Sequence, residues 1–147
     1  MDPLRREKLE NAIAYFAKRH YEKTGRPLTK IYLYKYLAFM DFLSVRETGK
    51  PAIGLRYLAT ENGVVPVGII VPIEKHEIDL SYFSDYEIEL MERLIENSDN
   101  ISFDDIKAWK KALQRGENSE MLFEDELEDA EDEEVKRERL EVYKLLT

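Results

Sequence analysis

The sequence predicts a mainly α-helical domain of about five helices around a central apolar helix, with one small β-hairpin at the margin of the α+β class. Three observations lead to this prediction. Two long helical patterns end at a glycine followed by a proline, two serine-led capping boxes open later helices, and one Asn-Gly pair marks a tight turn. At 147 residues the chain has the length of one domain with its own core.

The first helix is predicted to begin at Asp2, because aspartate is a good N-cap and Pro3 fits the first turn, where its missing N–H costs nothing. Gly25 ends this helix and Pro27 prevents its return. An inner face of four residues follows helical spacing: Leu9, Ile13, Phe16 and His20.

The second helix is predicted to start near Leu28 or Thr29 and to stop at Gly49 and Pro51. Apolar and aromatic side chains surround its axis: Ile31, Leu33, Tyr34, Tyr36, Leu37, Phe39, Met40, Phe42, Leu43 and Val45. A helix that is apolar all round is usually buried, so this one should lie at the centre of the domain.

The two helix ends resemble each other. Residues 22–27 read Glu-Lys-Thr-Gly-Arg-Pro, and residues 46–51 read Arg-Glu-Thr-Gly-Lys-Pro. One interpretation is an internal duplication with a period of 24 residues. The other, which we favour, is two independent uses of the same Gly-then-Pro helix stop.

Asn62-Gly63 predicts a β-hairpin at about 55–71, with strands over 56–61 and 64–71. A type I′ turn needs positive φ at both central residues, and this pair supplies them most readily. Pro66 restricts the second strand to an edge or a bulge, because proline has no N–H to donate.

Two more helices are predicted from capping boxes. Residues 84–87 open one, with an inner face of Ile88, Met91 and Ile95. Residues 102–105 open the other, which ends at Gly116 and has an inner face of Ile106, Trp109 and Leu113.

Negative charge is concentrated in one segment, because residues 117–134 hold eleven acids and no base. Without them, 20 acids face 22 Lys and Arg, so the body is close to neutral although the chain has a net charge of −9. We therefore divide the chain into a helical domain over 1–116 and a region over 117–147. This region comprises the acidic segment and a C-terminal amphipathic helix, predicted to pack on the same domain. The acidic segment is equally consistent with a solvated helix and with a partner-binding helix.

The sequence offers no pattern for catalysis, so we predict no catalytic residue, no metal, no cofactor and no enzyme activity. Cysteine is absent, and His20 and His76 have no spacing typical of zinc ligands. There is no glycine-rich phosphate loop and no Gly-x-Ser-x-Gly elbow, so a hydrolase with an unrecognised site is only a residual alternative.

The chain is predicted to be a cytoplasmic protein without a membrane partner. Its first residues lack the apolar core of a signal peptide. Its longest apolar run is interrupted by Lys35 and Asp41, which makes it too short to span a bilayer. A charged content of 36%, rich in Lys and Glu, is typical of thermophiles.

The run from Lys30 to Pro66 resembles the Panacea domain, the SocA-like family of antitoxins and proteolytic adaptors. The features in common are an apolar-aromatic helix with an aspartate, then Gly49-Lys50-Pro51, a Tyr57 strand and the Asn62-Gly63 turn, in the family's order. A weaker likeness extends over 83–109. The family usually has Gly-Pro-Val at the turn, whereas here the proline stands two places later.

The resemblance implies a non-enzymatic protein-interaction module that neutralises a partner by direct binding or delivers it to a protease. The implied partner is a toxin encoded next to the protein, as in a toxin–antitoxin system. Oligomeric state is left open.

The candidate partner-binding residues are tyrosines, the two residues of the predicted hairpin turn, and apolar residues of the acidic segment. Tyr32, Tyr34 and Tyr36 lie two residues apart on a predicted helix, so they cannot all face the core, and tyrosine is enriched where proteins bind. The competing interpretation is that each hydroxyl finds a partner inside the fold. The predicted binding residues are Tyr32, Tyr36, Tyr57, Asn62, Gly63, Leu122, Phe123 and Leu127.

The alternative function is a small nucleic-acid-binding regulator that uses a basic N-terminal helix. Eight bases occupy the first thirty positions: Arg5, Arg6, Lys8, Lys18, Arg19, Lys23, Arg26 and Lys30. Glutamates are interleaved with them, so a solvated face is the interpretation we favour, and nucleic acid is not the expected partner.

Overall fold

A computed structural model describes residues 1–68 and 77–127, together with residues 138, 141, 142, 144 and 145. In chain order the helices are α1 (Pro3–Thr24), α2 (Lys30–Thr48), α3 (Asp85–Glu96), α4 (Lys107–Arg115) and α5 (Phe123–Leu127), and the strands are β1 (Tyr57–Thr60) and β2 (Gly63–Pro66). Short 3₁₀ turns occupy Leu80–Tyr82 and Phe103–Asp105. The mainly α class with one small hairpin is confirmed.

The ends of α1 and α2 lie where the sequence predicts them. Asp2 caps α1 by accepting the N–H of Arg5, and Thr29 caps α2 by accepting the N–H of Tyr32. Each helix ends at a glycine in the left-handed region, with φ 73° at Gly25 and φ 89° at Gly49.

Both helix ends also use the preceding threonine in the same way. The Oγ1 of Thr24 donates to the carbonyl of His20 and accepts the N–H of Arg26, and Thr48 repeats this with Ser44 and Lys50. The similar sequences therefore encode the same local structure, which both the duplication and the independent-use interpretation allow.

Helix α2 lies at the centre of the core. Half of the twelve largest fully buried side chains belong to it: Leu33, Tyr36, Leu37, Phe39, Met40 and Phe42. It packs against α3, α5 and β2, and α1 packs beside it and against α3. The all-round apolar pattern predicted this position, because covering every side of such a helix leaves the least apolar surface exposed to water.

The hairpin is present, but its turn differs from the prediction. Thr60 pairs with Gly63, so the two central residues of the turn are Glu61 and Asn62, one position earlier than predicted. Neither has a positive φ, because among the described residues other than glycine only Asn118 has one. The predicted type I′ turn at Asn62-Gly63 is therefore wrong.

A close contact with a neighbouring aromatic side chain favours glycine at position 63, the first residue of β2. A Cβ at Gly63 would lie 3.3 Å from the ring of Phe103, and its φ of 147° also favours glycine. The indole N–H of Trp109 donates to the carbonyls of Thr60 and Gly63, which holds the turn from outside.

The second strand is shorter than predicted. It ends at Pro66, and the following Val67 and Gly68 form a turn, with φ 70° at Gly68. Among the described residues β2 pairs with β1 alone, so Pro66 lies on an edge strand, which suits its missing N–H. The remainder of the predicted strand, residues 69–71, lies outside the described residues.

Residues 117–127, which we call the C-terminal arm, supply that other neighbour of β1. The N–H of Asn118 donates to the carbonyl of Ala59, the N–H of Ala59 to Ser119, and the N–H of Met121 to Tyr57. Leu58 and Glu120 form an antiparallel bridge. The first part of the acidic segment is therefore built into the domain.

The two predicted capping boxes have different outcomes. Ser84 and Glu87 form a full capping box at the start of α3. Ser102 instead caps the short 3₁₀ turn Phe103–Asp105, and α4 begins only at Lys107, so the second helix start is wrong. The cap of α4 comes from the C-terminal arm, as described below.

The predicted inner faces of α3 and α4 are partly correct. On α3, Met91 and Ile95 are fully buried and Ile88 is half-buried. On α4, Ile106, which precedes the helix, is fully buried, whereas Trp109 and Leu113 are half-buried. The most deeply buried α4 residues are the alanines at 108 and 112.

The predicted C-terminal helix over 135–146 and the acidic residues 128–134 lie almost entirely outside the described residues. The five residues described in this region are helical and exposed.

Candidate binding surface

A fully buried carboxylate joins α2 to the loop that leads into the hairpin. Asp41 accepts the N–H groups of Ile53 and Gly54 on Oδ1, at 2.6 and 2.9 Å, and that of Leu55 on Oδ2, at 3.1 Å. The hydroxyl of Tyr57 donates to Oδ2 at 2.8 Å. We call Asp41 and these four donor residues the Asp41 node.

The Asp41 node is saturated by contacts inside the protein. Burial raises the pKa of Asp41, and its four hydrogen-bond donors oppose that rise. Burial next to this carboxylate raises the pKa of Tyr57 well above its ordinary value. A carboxyl group enclosed in this way offers no open position to a substrate, so its role is to fix the loop.

A second buried group connects α1 and α2 through aromatic side chains. Nδ1 of His20 lies 2.7 Å from the hydroxyl of Tyr36, whose ring stacks on Phe16 at 4.7 Å. The ring of Tyr32 covers His20 at 5.1 Å. Burial lowers the pKa of His20, and the charge of Asp99 opposes that effect. His20 is therefore a packed neutral histidine beneath a half-exposed tyrosine.

Glu126 anchors the C-terminal arm to the body. Its side chain is fully buried, and its carboxylate accepts the N–H of Ala108 at 2.7 Å and the Nη2 of Arg46 at 2.6 Å. Because Ala108 lies in the first turn of α4, Glu126 caps that helix from a distant part of the chain. Nearby, the ring of Phe123 packs on Phe42 at 4.7 Å.

Most acids of the C-terminal arm are paired within the domain. Glu120 binds Arg56 at 2.6 Å, and Asp125 binds Arg115 at 3.2 Å. Glu117 accepts the N–H of Glu61. In the described part of the acidic segment, most carboxylates therefore contact the body, whereas Glu124 is exposed.

The end of the molecule where α1 turns into α2 has the opposite character. Residues 18–35 carry six Lys and Arg and a single acid, Glu22, which pairs with Arg19. Exposed apolar side chains stand among these bases, with Tyr21 59% and Ile31 77% exposed. We call this surface the basic end and define it by Lys18, Tyr21, Lys23, Arg26, Lys30 and Ile31.

Four cations of the basic end make no ion pair with any described residue: Lys18, Lys23, Arg26 and Lys30. Lys35, half-buried next to them, has its pKa lowered by burial, an effect that Asp99 opposes. The basic end contains tyrosine and arginine, which are enriched at protein interfaces, and lysines, which suit the polar rim of an interface.

The sequence-predicted binding residues are distributed over core and surface. Tyr36, Tyr57 and Leu127 are buried, and Gly63 is buried in β2, so in this structure they offer no side chain to a partner. Leu122 and Phe123 are half-buried in the C-terminal arm, and Asn62 is exposed in the hairpin turn. Tyr32 alone of the eight adjoins the basic end.

The basic residues weighed for nucleic-acid binding also divide into two groups. Lys8 bonds Glu87 and the carbonyl of Ala52, Arg19 bonds Glu92, and Arg6 pairs with Glu10. The cations left for an external partner are mainly those of the basic end. The interleaved glutamates favoured a solvated face for these residues. The sequence signal that indicates a common surface is that these bases flank the single turn between two helices.

Within residues 1–68, 77–127 and the five described beyond them, no group of His, Cys, Asp or Glu is arranged to hold a metal ion. No helix in that part of the chain is both long and apolar enough to cross a membrane. In comparisons with known proteins, no family model, no curated protein and no solved structure matches this chain.

Proposed function

We propose that the protein is a non-enzymatic protein-interaction module that binds its partner through the basic end. The observation that carries this proposal is that exposed Tyr21 and Ile31 occur within residues 18–35 together with four cations that pair with no described acid. Burying an exposed apolar side chain against a partner gains free energy, whereas leaving it in water gains none.

The exposed apolar residues favour a protein partner over nucleic acid. Phosphates are bound by Lys, Arg and other hydrogen-bond donors, and bases stack on aromatic rings. Ile31, the most exposed residue of the basic end's apolar pair, suits neither contact, but it suits a hydrophobic contact with another protein.

An antitoxin-like or adaptor-like role is the finer proposal, and it comes from the resemblance to the Panacea domain. Asp41 and Tyr57, two of the residues on which that resemblance rests, form the Asp41 node. The likeness therefore concerns a scaffold, and a shared scaffold can present different binding surfaces.

Co-expression with the product of the neighbouring open reading frame tests the proposal. We expect the two proteins to purify together and, where the neighbour is toxic, the complex to relieve growth arrest. The variant Lys23→Glu/Lys30→Glu should lose both effects. Its matched control is Lys50→Glu/Lys110→Glu, which makes the same change of charge at two exposed positions outside the basic end. Lys50 follows the opposite end of α2, about 28 Å away along that helix, and Lys110 lies in α4.

Absence of a complex and of growth relief with the wild-type chain would contradict the interaction function. A complex that survives Lys23→Glu/Lys30→Glu and is lost with Lys50→Glu/Lys110→Glu would place binding on another surface. Circular dichroism of each variant separates these outcomes from loss of folding.

A further inference from the structure

We infer that the basic end binds an acidic segment of another protein whose apolar side chains follow helical spacing. This inference rests on the proposed interaction function and specifies the chemistry of the partner. It comes from charge, from exposed apolar area, and from the way in which this chain docks an acidic segment of its own.

Charge selects an acidic partner. Arg19 is bound by Glu22 at 3.2 Å and by Glu92 at 2.9 Å, and the charge of Asp99 acts on Lys35. The other four bases of residues 18–35 pair with no described acid. A cluster of exposed positive charges attracts a negatively charged surface and steers its approach. This attraction weakens as salt is added.

The exposed apolar side chains indicate that the partner segment carries apolar residues as well as acids. Tyr21 and Ile31 are large and exposed, and the half-buried ring of Tyr32 is held against His20 at 5.1 Å. An aromatic ring with a fixed neighbour loses little conformational entropy on binding. A partner segment that places Leu or Phe over these residues and Glu or Asp over the lysines satisfies both features.

The start of α2 breaks a general preference of helices. Its first turn contains no acid and begins with Lys30, a cation placed at the positive end of the helix dipole. The next residue, Ile31, is β-branched and 77% exposed. Local rules are usually broken where function requires it, and an incoming acid at this position would restore the favourable charge.

The C-terminal arm shows the same chemistry inside the molecule. There Phe123 packs on an aromatic ring of α2, while Asp125 and Glu126 bind arginines of the body. The basic end offers the same combination of cations and apolar surface. Residues 77–127 leave it uncovered, because Lys23, Lys30 and Ile31 stay exposed in the structure.

Fluorescence anisotropy with defined probes tests the inference on the full-length chain. The probe is a labelled peptide of about 16 residues with Glu on one helical face and Leu and Phe on the other. The control probes are a peptide of the same composition in scrambled order, poly-glutamate, and a short DNA duplex. The protein variants are Lys23→Glu/Lys30→Glu, Tyr21→Ser/Ile31→Ser and the control Lys50→Glu/Lys110→Glu.

We expect the amphipathic peptide to bind the wild-type chain more tightly than the three control probes do. Lys23→Glu/Lys30→Glu should weaken this binding by at least about tenfold at low salt, because it replaces attraction by repulsion. Tyr21→Ser/Ile31→Ser should weaken it by about tenfold through lost apolar contact, and the control variant by less than about twofold.

Several results would overturn the inference. Equal binding of poly-glutamate would show that apolar contact is irrelevant, and tighter binding of the duplex would identify a nucleic-acid surface. Concentration-dependent self-association that Lys23→Glu/Lys30→Glu abolishes would identify a second copy of the chain as the occupant. If the peptide fails to bind while the co-expressed partner still purifies with the chain, this inference fails and the interaction function stands.

Discussion

The Asp41 node and the basic end both include residues of α2, and they differ in how their polar groups are satisfied. At the node, one buried carboxylate receives four hydrogen bonds from its own chain. At the basic end, about 16 Å away along the same helix, exposed cations meet no described acid. A group that is saturated internally supports the fold, whereas an unsatisfied exposed group is available to a partner.

This difference separates the residues that look most distinctive in the sequence from those that can bind. Tyr57 and Asp41 are an aromatic and an acidic residue within apolar stretches of the sequence, and both are buried. Lys23, Lys30 and Ile31 carry no distinctive pattern, and all three are exposed. Mutations at the two regions should therefore act on different quantities, namely stability at the node and binding at the basic end.

The largest expected effect comes from Asp41→Ala. This change leaves three backbone N–H groups and the buried hydroxyl of Tyr57 without an acceptor, so the free energy of unfolding should fall by about 3 to 5 kcal/mol. Urea denaturation followed by circular dichroism measures it.

Asp41→Asn is the matched control, because its amide keeps one acceptor oxygen and nearly the same volume. It should cost clearly less than Asp41→Ala. A loss below about 1 kcal/mol for Asp41→Ala would contradict the assignment of the node as a structural centre.

Glu126→Ala should give the next largest effect. It removes the cap of α4 and leaves Arg46, itself about a quarter exposed, without its carboxylate. We expect a loss of about 2 to 3 kcal/mol, below the value for a fully buried pair because Arg46 can regain water. The exposed Glu124→Ala should change stability by less than about 0.5 kcal/mol in the same urea experiment. Equal effects of the two variants would mean that the C-terminal arm is not anchored through Glu126.

The pH dependence of stability probes the buried histidine beneath the basic end. Burial lowers the folded-state pKa of His20, so below about pH 6.5 the unfolded chain binds a proton that the folded chain resists. Stability should therefore fall as the pH drops through this range. His20→Gln should show a smaller slope between about pH 7.5 and about pH 5.5, measured by urea unfolding. An unchanged slope would assign the effect to other groups.

The smallest expected effects on stability come from the basic end itself. Lys30→Glu places an acid at the start of α2 and should raise the free energy of unfolding by about 0.3 to 1 kcal/mol. Lys23→Glu places an acid in the last turn of α1 and should lower it by a similar amount. Thermal unfolding at low salt measures both. Destabilisation by Lys30→Glu would mean that Lys30 has a structural partner, which would contradict its role as an available cation.

The sequence predicts the regular parts of this fold because their signals are local. The helix ends at Gly25 and Gly49 follow from glycine and proline, and the capping box at Ser84 is complete within four residues. The central position of α2 follows from apolar residues on all sides. In each case the residues that decide the structure are neighbours in the chain.

The long-range contacts, and with them the charges that stay unpaired in the candidate site, could not be predicted in the same way, because they depend on residues that are distant in sequence. Glu126 caps a helix that starts nineteen positions earlier, and Phe103 and Trp109 decide the conformation around Gly63. Whether a lysine is paired depends on which acids the fold brings near it. Tyrosine is a residue type expected at a binding site, but Tyr36 and Tyr57 are packed in the core.

The most direct test of binding at the basic end is a backbone amide chemical-shift map of the full-length chain, recorded while the acidic amphipathic peptide is added. We predict that the perturbed amides concentrate in residues 18–35, and that those of β1, β2 and the Asp41 node stay unchanged. Perturbation centred on residues 57–66 or on the C-terminal arm, with residues 18–35 unaffected, would contradict the assignment of the basic end as the binding surface.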